Sequence, residues 1–230
     1  MEECISVFDM LKIGVGPSSS HTLGPWKAAE RFLNELKDND LFQNTIRIQV
    51  DLYGSLSLTG KGHATDFAIM LGLSGQDPEY IPIENISKIT KSITENDQII
   101  LGNELNIPFK LNQDIIFNKE FLPFHANGLK FTAYLNNNSN YTSTFYSIGG
   151  GFVVKEERIN AKKKLEIKCA FPFQISNASA LLEYCSVENK KISKIVFENE
   201  KSMRSEEKIN SELLHIWETM LECMFIGCHS

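Results

Sequence analysis

The chain has 230 residues, 42% of them hydrophobic, which suits one large or two modest domains. Its formal net charge of −6 argues against nucleic acid as a bulk electrostatic partner. No apolar run approaches the roughly 18 residues of a membrane span, and the acidic start Met1-Glu2-Glu3-Cys4 lacks the regions of a signal peptide, so the expected address is the cytoplasm.

Ile5 to Ile13 reads as a short helix or turn with Ser6 as its N-cap. The run Gly14-Val15-Gly16-Pro17-Ser18-Ser19-Ser20-His21-Thr22-Leu23-Gly24-Pro25 follows. Four hydroxyls and an imidazole at successive positions exceed what a turn needs. The helix after it carries Trp26, Ala29, Phe32 or Leu33, and Leu36 at helical spacing, with Pro25 suited to its first turn. Its free N–H groups and positive dipole end would favour an anion, carboxylate or phosphate. The plain alternative is an over-decorated N-cap.

Thr45 to Tyr53 alternates as a strand, with Ile46, Ile48, Val50 and Leu52 on one face. Gly54-Ser55 ends it, and a second polar corner, Thr59-Gly60-Lys61-Gly62-His63-Ala64-Thr65-Asp66, leads into an apolar helix over Phe67 to Leu73. Ile83 to Thr94 is expected to be helical after Pro82, with short strands at Gln98 to Leu101 and Asp114 to Phe117. Leu129 to Leu135 and Thr142 to Ile148 flank the turn-forming Asn136 to Asn140 and predict an antiparallel hairpin. Gly149-Gly150-Gly151 is either a flexible joint or a close backbone approach to a ligand, and Phe152 to Lys155 a further strand. The lysine-rich Glu156 to Lys168 reads as a solvated connection and marks a soft boundary.

Three helical patterns close the chain: Asn177 to Val187, Lys191 to Met203, and Glu206 to Phe225 with Ser205 as N-cap. The last carries the apolar stripe Ile209, Leu213, Ile216 or Trp217, Met220, Leu221 and Met224. Such an ending suits a piece of something longer or a chain that docks on a partner. The fold expected is α+β: an antiparallel or mixed sheet with helices packed on one side, followed by a helical C-terminal connector.

Cys4, Cys169, Cys185, Cys223 and Cys228 are odd in number and scattered, so free thiols are expected. His21, His63 and His125 stand at junctions between loops and elements, where functional residues gather. His215 and His229 read as structural or solvent-facing. His125 and Asn127 are two apart, on one side of an extended segment, where Asn127 could donate to a carboxylate that a histidine also holds. Ser55 could add a hydroxyl. There is no GxSxG elbow, no GxxxxGK[ST] loop and no HExxH. A Ser20–His21 nucleophile is disfavoured because adjacent side chains point apart on regular elements.

The run Ser6 to Pro25 (SVFDMLKIGVGPSSSHTLGP) resembles the opening signature of the iron–sulfur-dependent L-serine dehydratases of bacteria. The similarity continues through Leu52-Tyr53-Gly54-Ser55-Leu56, Thr59 to Asp66, His125-Ala126-Asn127-Gly128 and Tyr146-Ser147-Ile148-Gly149-Gly150-Gly151. It implies that residues 1–155 form the β domain and residues 156–230 a connector to an absent α domain. That α domain would carry the cysteine ligands of a [4Fe–4S] cluster; no cysteine here matches them, and no cluster is expected in this chain. The implied reaction turns L-serine into pyruvate and ammonia. His21, His63 and His125 are the candidate catalytic residues, and Ser18, Ser19, Ser20, Thr22, Ser55, Thr65 and Asn127 the candidate substrate-binding ones. L-Serine, the α domain and a second copy in a homodimer are the implied partners. Two rival readings remain: a regulatory small-acid module, like the effector-binding domain of some phosphoglycerate dehydrogenases, and a purely structural docking half.

Overall fold

The structure, a computed structural model, describes residues 5–16, 18–157 and 171–229. Cys4, Cys169 and most of the lysine-rich connection lie outside them; Cys185, Cys223 and Cys228 are free thiols. The described residues divide into two compact units, one within Gly14–Lys163 and one combining Met1–Ile13 with Lys164–Ser230.

The larger unit is built on a mixed sheet. Strands β1 (Thr45–Gly54), β4 (Ile115–Phe117), β5 (Asn127–Leu135), β6 (Asn140–Gly149) and β7 (Phe152–Lys155) lie in the order β4-β1-β5-β6-β7. Only β1 and β4 run parallel; the other pairs are antiparallel. The expected hairpin is β5–β6, with Phe131 opposite Ser143 and Asn138 at positive φ in its turn. A separate ribbon pairs β2 (Gln98–Leu101) with β3 (Leu105–Pro108). Its turn places Gly102 and Asn103 both at positive φ, as a tight hairpin demands.

Helix α2 (Leu23–Asp38) follows α1 (Val7–Met10) in the chain and packs on β5, β6 and β7. Pro25 falls in its first turn, where a missing N–H costs nothing. Phe32, Leu36, Ile48, Val50, Leu52, Phe131 and Phe145 are buried together between helix and sheet. The alternation of β1 slips at its start: the pairing shifts between Thr45 and Arg47, burying Thr45 and leaving Ile46 51% exposed. Ile46 was expected inside, and the irregularity turns it out. After β1 come α3 (Ser55–Thr59), a 3₁₀ turn (Gly60–His63), α4 (Thr65–Leu73), which packs on α2, and α5 (Ile83–Asn96). The short helix α6 (Leu111–Asp114) leads into β4.

In the smaller unit, Ser6 caps α1 and Asp9 closes the capping box. Glu200, only 2% exposed, accepts from Ser6 Oγ at 2.8 Å and from the Val7 N–H at 2.7 Å, and pairs with Arg204 at 2.6 Å. The C-terminal helices are Ala178–Val187, Ile192–Lys201 and Glu206–His229. In the last, Ile209 is buried, whereas Leu213, Trp217, Met220, Leu221 and Met224 of the expected stripe are exposed.

Candidate active site

The hydroxyl-rich segment before α2 is wound tightly, and its backbone is held by its own neighbours. The His21 and Thr22 N–H groups both donate to the Ser18 carbonyl, at 3.0 and 2.9 Å, and Thr22 Oγ1 donates to the same oxygen at 2.7 Å. Ser147 Oγ donates to the Ser20 carbonyl at 2.8 Å, and Thr65 Oγ1 to the His21 carbonyl at 2.7 Å. The Gly24 N–H is taken by the Ser19 carbonyl at 2.8 Å, and Pro25 has none. These donors at the helix N-terminus are therefore spent on the loop or missing, which weakens the simple anion cradle. What the winding achieves is a fixed position for the His21 ring.

That ring is held at both nitrogens. Ser20 Oγ lies 3.0 Å from Nδ1, while Ser55 Oγ and Thr59 Oγ1 lie 3.2 and 3.0 Å from Nε2. The expectation that Ser20 and His21 point apart fails because this segment is a turn rather than a regular element. Thr59 Oγ1 donates to the Ser55 carbonyl at 2.9 Å, so towards His21 it accepts, and Nε2 carries the proton. Ser20 then donates to Nδ1.

His63 has the opposite tautomer. Its Nδ1 lies 2.9 Å from the Thr59 carbonyl, which only accepts, so Nδ1 carries the proton and Nε2 keeps the lone pair. The two rings stand 4.9 Å apart, centroid to centroid. Burial, and then the nearness of the His63 ring, since two imidazolium charges would repel, hold the His21 imidazole below its ordinary value, so it is mostly neutral at pH 7.

His125 is tied in through backbone. The Asn127 N–H donates to His125 Nδ1 at 3.1 Å, which leaves the proton of the neutral ring on Nε2. The Ser55 N–H donates to the Ala126 carbonyl at 2.8 Å while its hydroxyl meets His21. Gly54, at φ +57°, makes this approach possible: a Cβ there would lie 2.2 Å from the Ala126 oxygen. Asn127 Nδ2 donates to the Ser147 carbonyl at 3.1 Å, and Ser147 also holds Ser20. Asn127 Oδ1 is buried and unpartnered among the described residues, a defect of about 1–3 kcal/mol if left so.

Of the residues singled out in the sequence, Ser20, His21, Ser55 and His63 meet directly, and Ser18 joins through a 3.3 Å contact with Ser20 Oγ. The hydroxyl protons of Thr22 and Thr65 are committed to backbone carbonyls, and Ser19 is exposed. Thr59 and Ser147 were missed as site residues. Both stand inside the quoted motifs, and Ser147 shares the inward face of β6 with Phe145, where a buried hydroxyl needs a partner. Among the described residues no three His, Cys, Asp or Glu side chains come together as a metal group. Hydroxyls and imidazoles do not fit the thiolate ligand set of an iron–sulfur cluster.

The profile of the serine dehydratase beta chain family matches residues 6–158. The chain is 38% identical over 227 residues to L-serine dehydratase 1 of Escherichia coli, covering 98% of this chain and 50% of that protein. It is 39% identical over 229 residues to the L-serine dehydratase of Haemophilus influenzae, with 98% and 50% covered. Against the L-serine dehydratase of Streptomyces coelicolor the figures are 36% over 225 residues, 97% and 50%. The chain thus spans about half the length of the curated relatives it matches. With the cluster of hydroxyls and histidines in the segments that carry the match, the chain belongs to the serine dehydratase beta chain family.

Proposed function

We propose that this chain is the substrate-holding half of an iron–sulfur-dependent L-serine dehydratase, which releases pyruvate and ammonia from L-serine. The observation that carries the reading is the cluster of Ser20, His21, Ser55, Thr59 and His63, in which backbone and side-chain bonds fix each imidazole in one tautomer. The dehydration removes the α-proton and the β-hydroxyl of serine as water; the aminoacrylate left behind tautomerises to an imine, and a second water hydrolyses it.

The chain's own residues suit distinct parts of this task. Hydroxyls and imidazole N–H groups are donors for the substrate carboxylate and for charge that develops beside it. His63 Nε2, with its lone pair, is the group here that can take the α-proton, and neutral His21 beside it leaves that lone pair unopposed. The [4Fe–4S] cluster is assigned to the other half, and no step of this chain passes through it. In this reading residues 1–155 form the β domain, residues 156–230 connect to the α domain, and the enzyme is a cytoplasmic homodimer. The exposed Trp217, Met220 and Leu221 support a docking role for the last helix; no described helix is long and apolar enough to cross a membrane.

The test is turnover after anaerobic assembly with a cluster-bearing half. His21→Ala and His63→Ala should each lower it by at least about a hundredfold with cluster absorbance unchanged. Near-normal turnover in both variants would refute the assignment.

A further inference from the structure

At the start of β5, Asn127 is only 8% exposed, and the fold treats the two ends of its amide differently. Nδ2 donates to the Ser147 carbonyl, whereas Oδ1 is buried and accepts from no donor among the described residues. Reversing the amide does not cure this, since Oδ1 would then face the Ser147 oxygen, acceptor against acceptor. A bare buried acceptor is rare in native structures and asks for a donor that the chain does not supply. From sequence, Asn127 was expected to donate to a carboxylate. With Nδ2 committed to Ser147, the atom it has to offer is an acceptor.

Its neighbour has the opposite polarity. His125, whose Nδ1 accepts from the Asn127 N–H, carries the proton of its neutral ring on Nε2. That N–H is a donor, suited to a carboxylate oxygen. An α-amino acid brings a carboxylate together with an ammonium, and an ammonium only donates. We propose that Asn127 Oδ1 accepts a hydrogen bond from the substrate's α-ammonium group and so sets a preference for α-amino acids over acids that lack the nitrogen. The proposal rests on the reading of this cluster as a serine site. Oδ1 is closed to water, so reaching it takes a local opening, which a charge-assisted bond in a water-poor setting offsets once the carboxylate is anchored.

The test is calorimetry on the enzyme assembled anaerobically from this chain and a cluster-bearing half. L-Alanine keeps the ammonium and carboxylate but has no hydroxyl to lose; propionate lacks the ammonium. Asn127→Ala should weaken L-alanine by at least about tenfold and leave propionate within about twofold. Asn127→Asp is read at a pH low enough to protonate its carboxyl, so that the O–H replaces Nδ2 as donor to the Ser147 carbonyl and the other oxygen stays an acceptor. It should retain the preference for L-alanine, and it decides the matter if the alanine variant does not fold. Equal weakening of both ligands, unchanged L-alanine binding, or a lost preference in Asn127→Asp overturns the proposal. Wild-type enzyme that turns over serine yet shows no preference for L-alanine overturns the ammonium assignment alone. Enzyme that binds neither ligand and turns over no serine overturns the serine-site reading with it.

Discussion

Gly24, at the start of the helix that follows the histidine loop, lies against Ser147 of β6, and Gly24→Ala should be felt at once. A Cβ there would stand 1.9 Å from Ser147 Oγ and 2.7 Å from Ser147 Cβ. Rotating the serine hydroxyl away relieves the first contact but breaks its bond to the Ser20 carbonyl. The second contact yields only if α2 and β6 move apart. Overpacking of this kind costs about 1–3 kcal/mol, and the lost hydrogen bond adds about 0.5–1.5 kcal/mol. Alanine's better helix propensity offsets at most ~1 kcal/mol. The expected net loss is about 0.5–4.5 kcal/mol.

The steric cause can be isolated by a double-mutant cycle. In a Ser147→Gly background both offending atoms are gone, so Gly24→Ala should be neutral or stabilising by up to ~1 kcal/mol. Native-state amide exchange of β5 and β6 is the suitable assay, because it reports the stability of this unit alone. A coupling below about 0.5 kcal/mol, with the same cost in both backgrounds, would refute the close-approach argument.

In an NMR titration the His21 imidazole should titrate below its ordinary value of 6.5, and His63→Gln should move it upward by removing the like charge that a protonated His63 sets beside it; an unchanged or lower midpoint would count against the pairing. Burial, then the nearby Asp77, raise the Glu30 carboxyl from 4.5 to about 7, so between those values the folded chain binds more protons than the unfolded one and stability falls as pH rises. With Glu30 only partly buried, screening limits the loss to about 1–2 kcal/mol; Glu30→Gln should flatten the fall in melting temperature from pH 5 to pH 7, and an unaltered slope would exclude Glu30 as its source.

Much of the architecture was legible because it is local. The alternation of Ile48, Val50 and Leu52, the asparagine-rich turn between β5 and β6, the Ser6 cap and Pro25 in the first turn of α2 each depend on residues a few positions apart. Strand β3 escaped notice although Gly102-Asn103 is a hairpin signal, since the runs beside it are only four residues long. The family, too, could be read from the unbroken run Ser6 to Pro25, and the candidate histidines from their glycine-lined junctions.

The chemistry of the site was a different matter, because it depends on which groups meet across distant stretches of chain. Ser55 stands 34 positions from His21, and Ser147 stands 127 positions from Ser20; no periodicity records either contact. A histidine's working nitrogen is set by what faces the other one, so the donor role of His125 and the free lone pair of His63 emerged only when a backbone N–H and a carbonyl were located beside them. Asn127 makes the same point most sharply. The residue type supplies both a donor and an acceptor, and the Ser147 carbonyl, positioned by the pairing of β5 with β6, takes the donor and leaves the acceptor unpaired among the described residues.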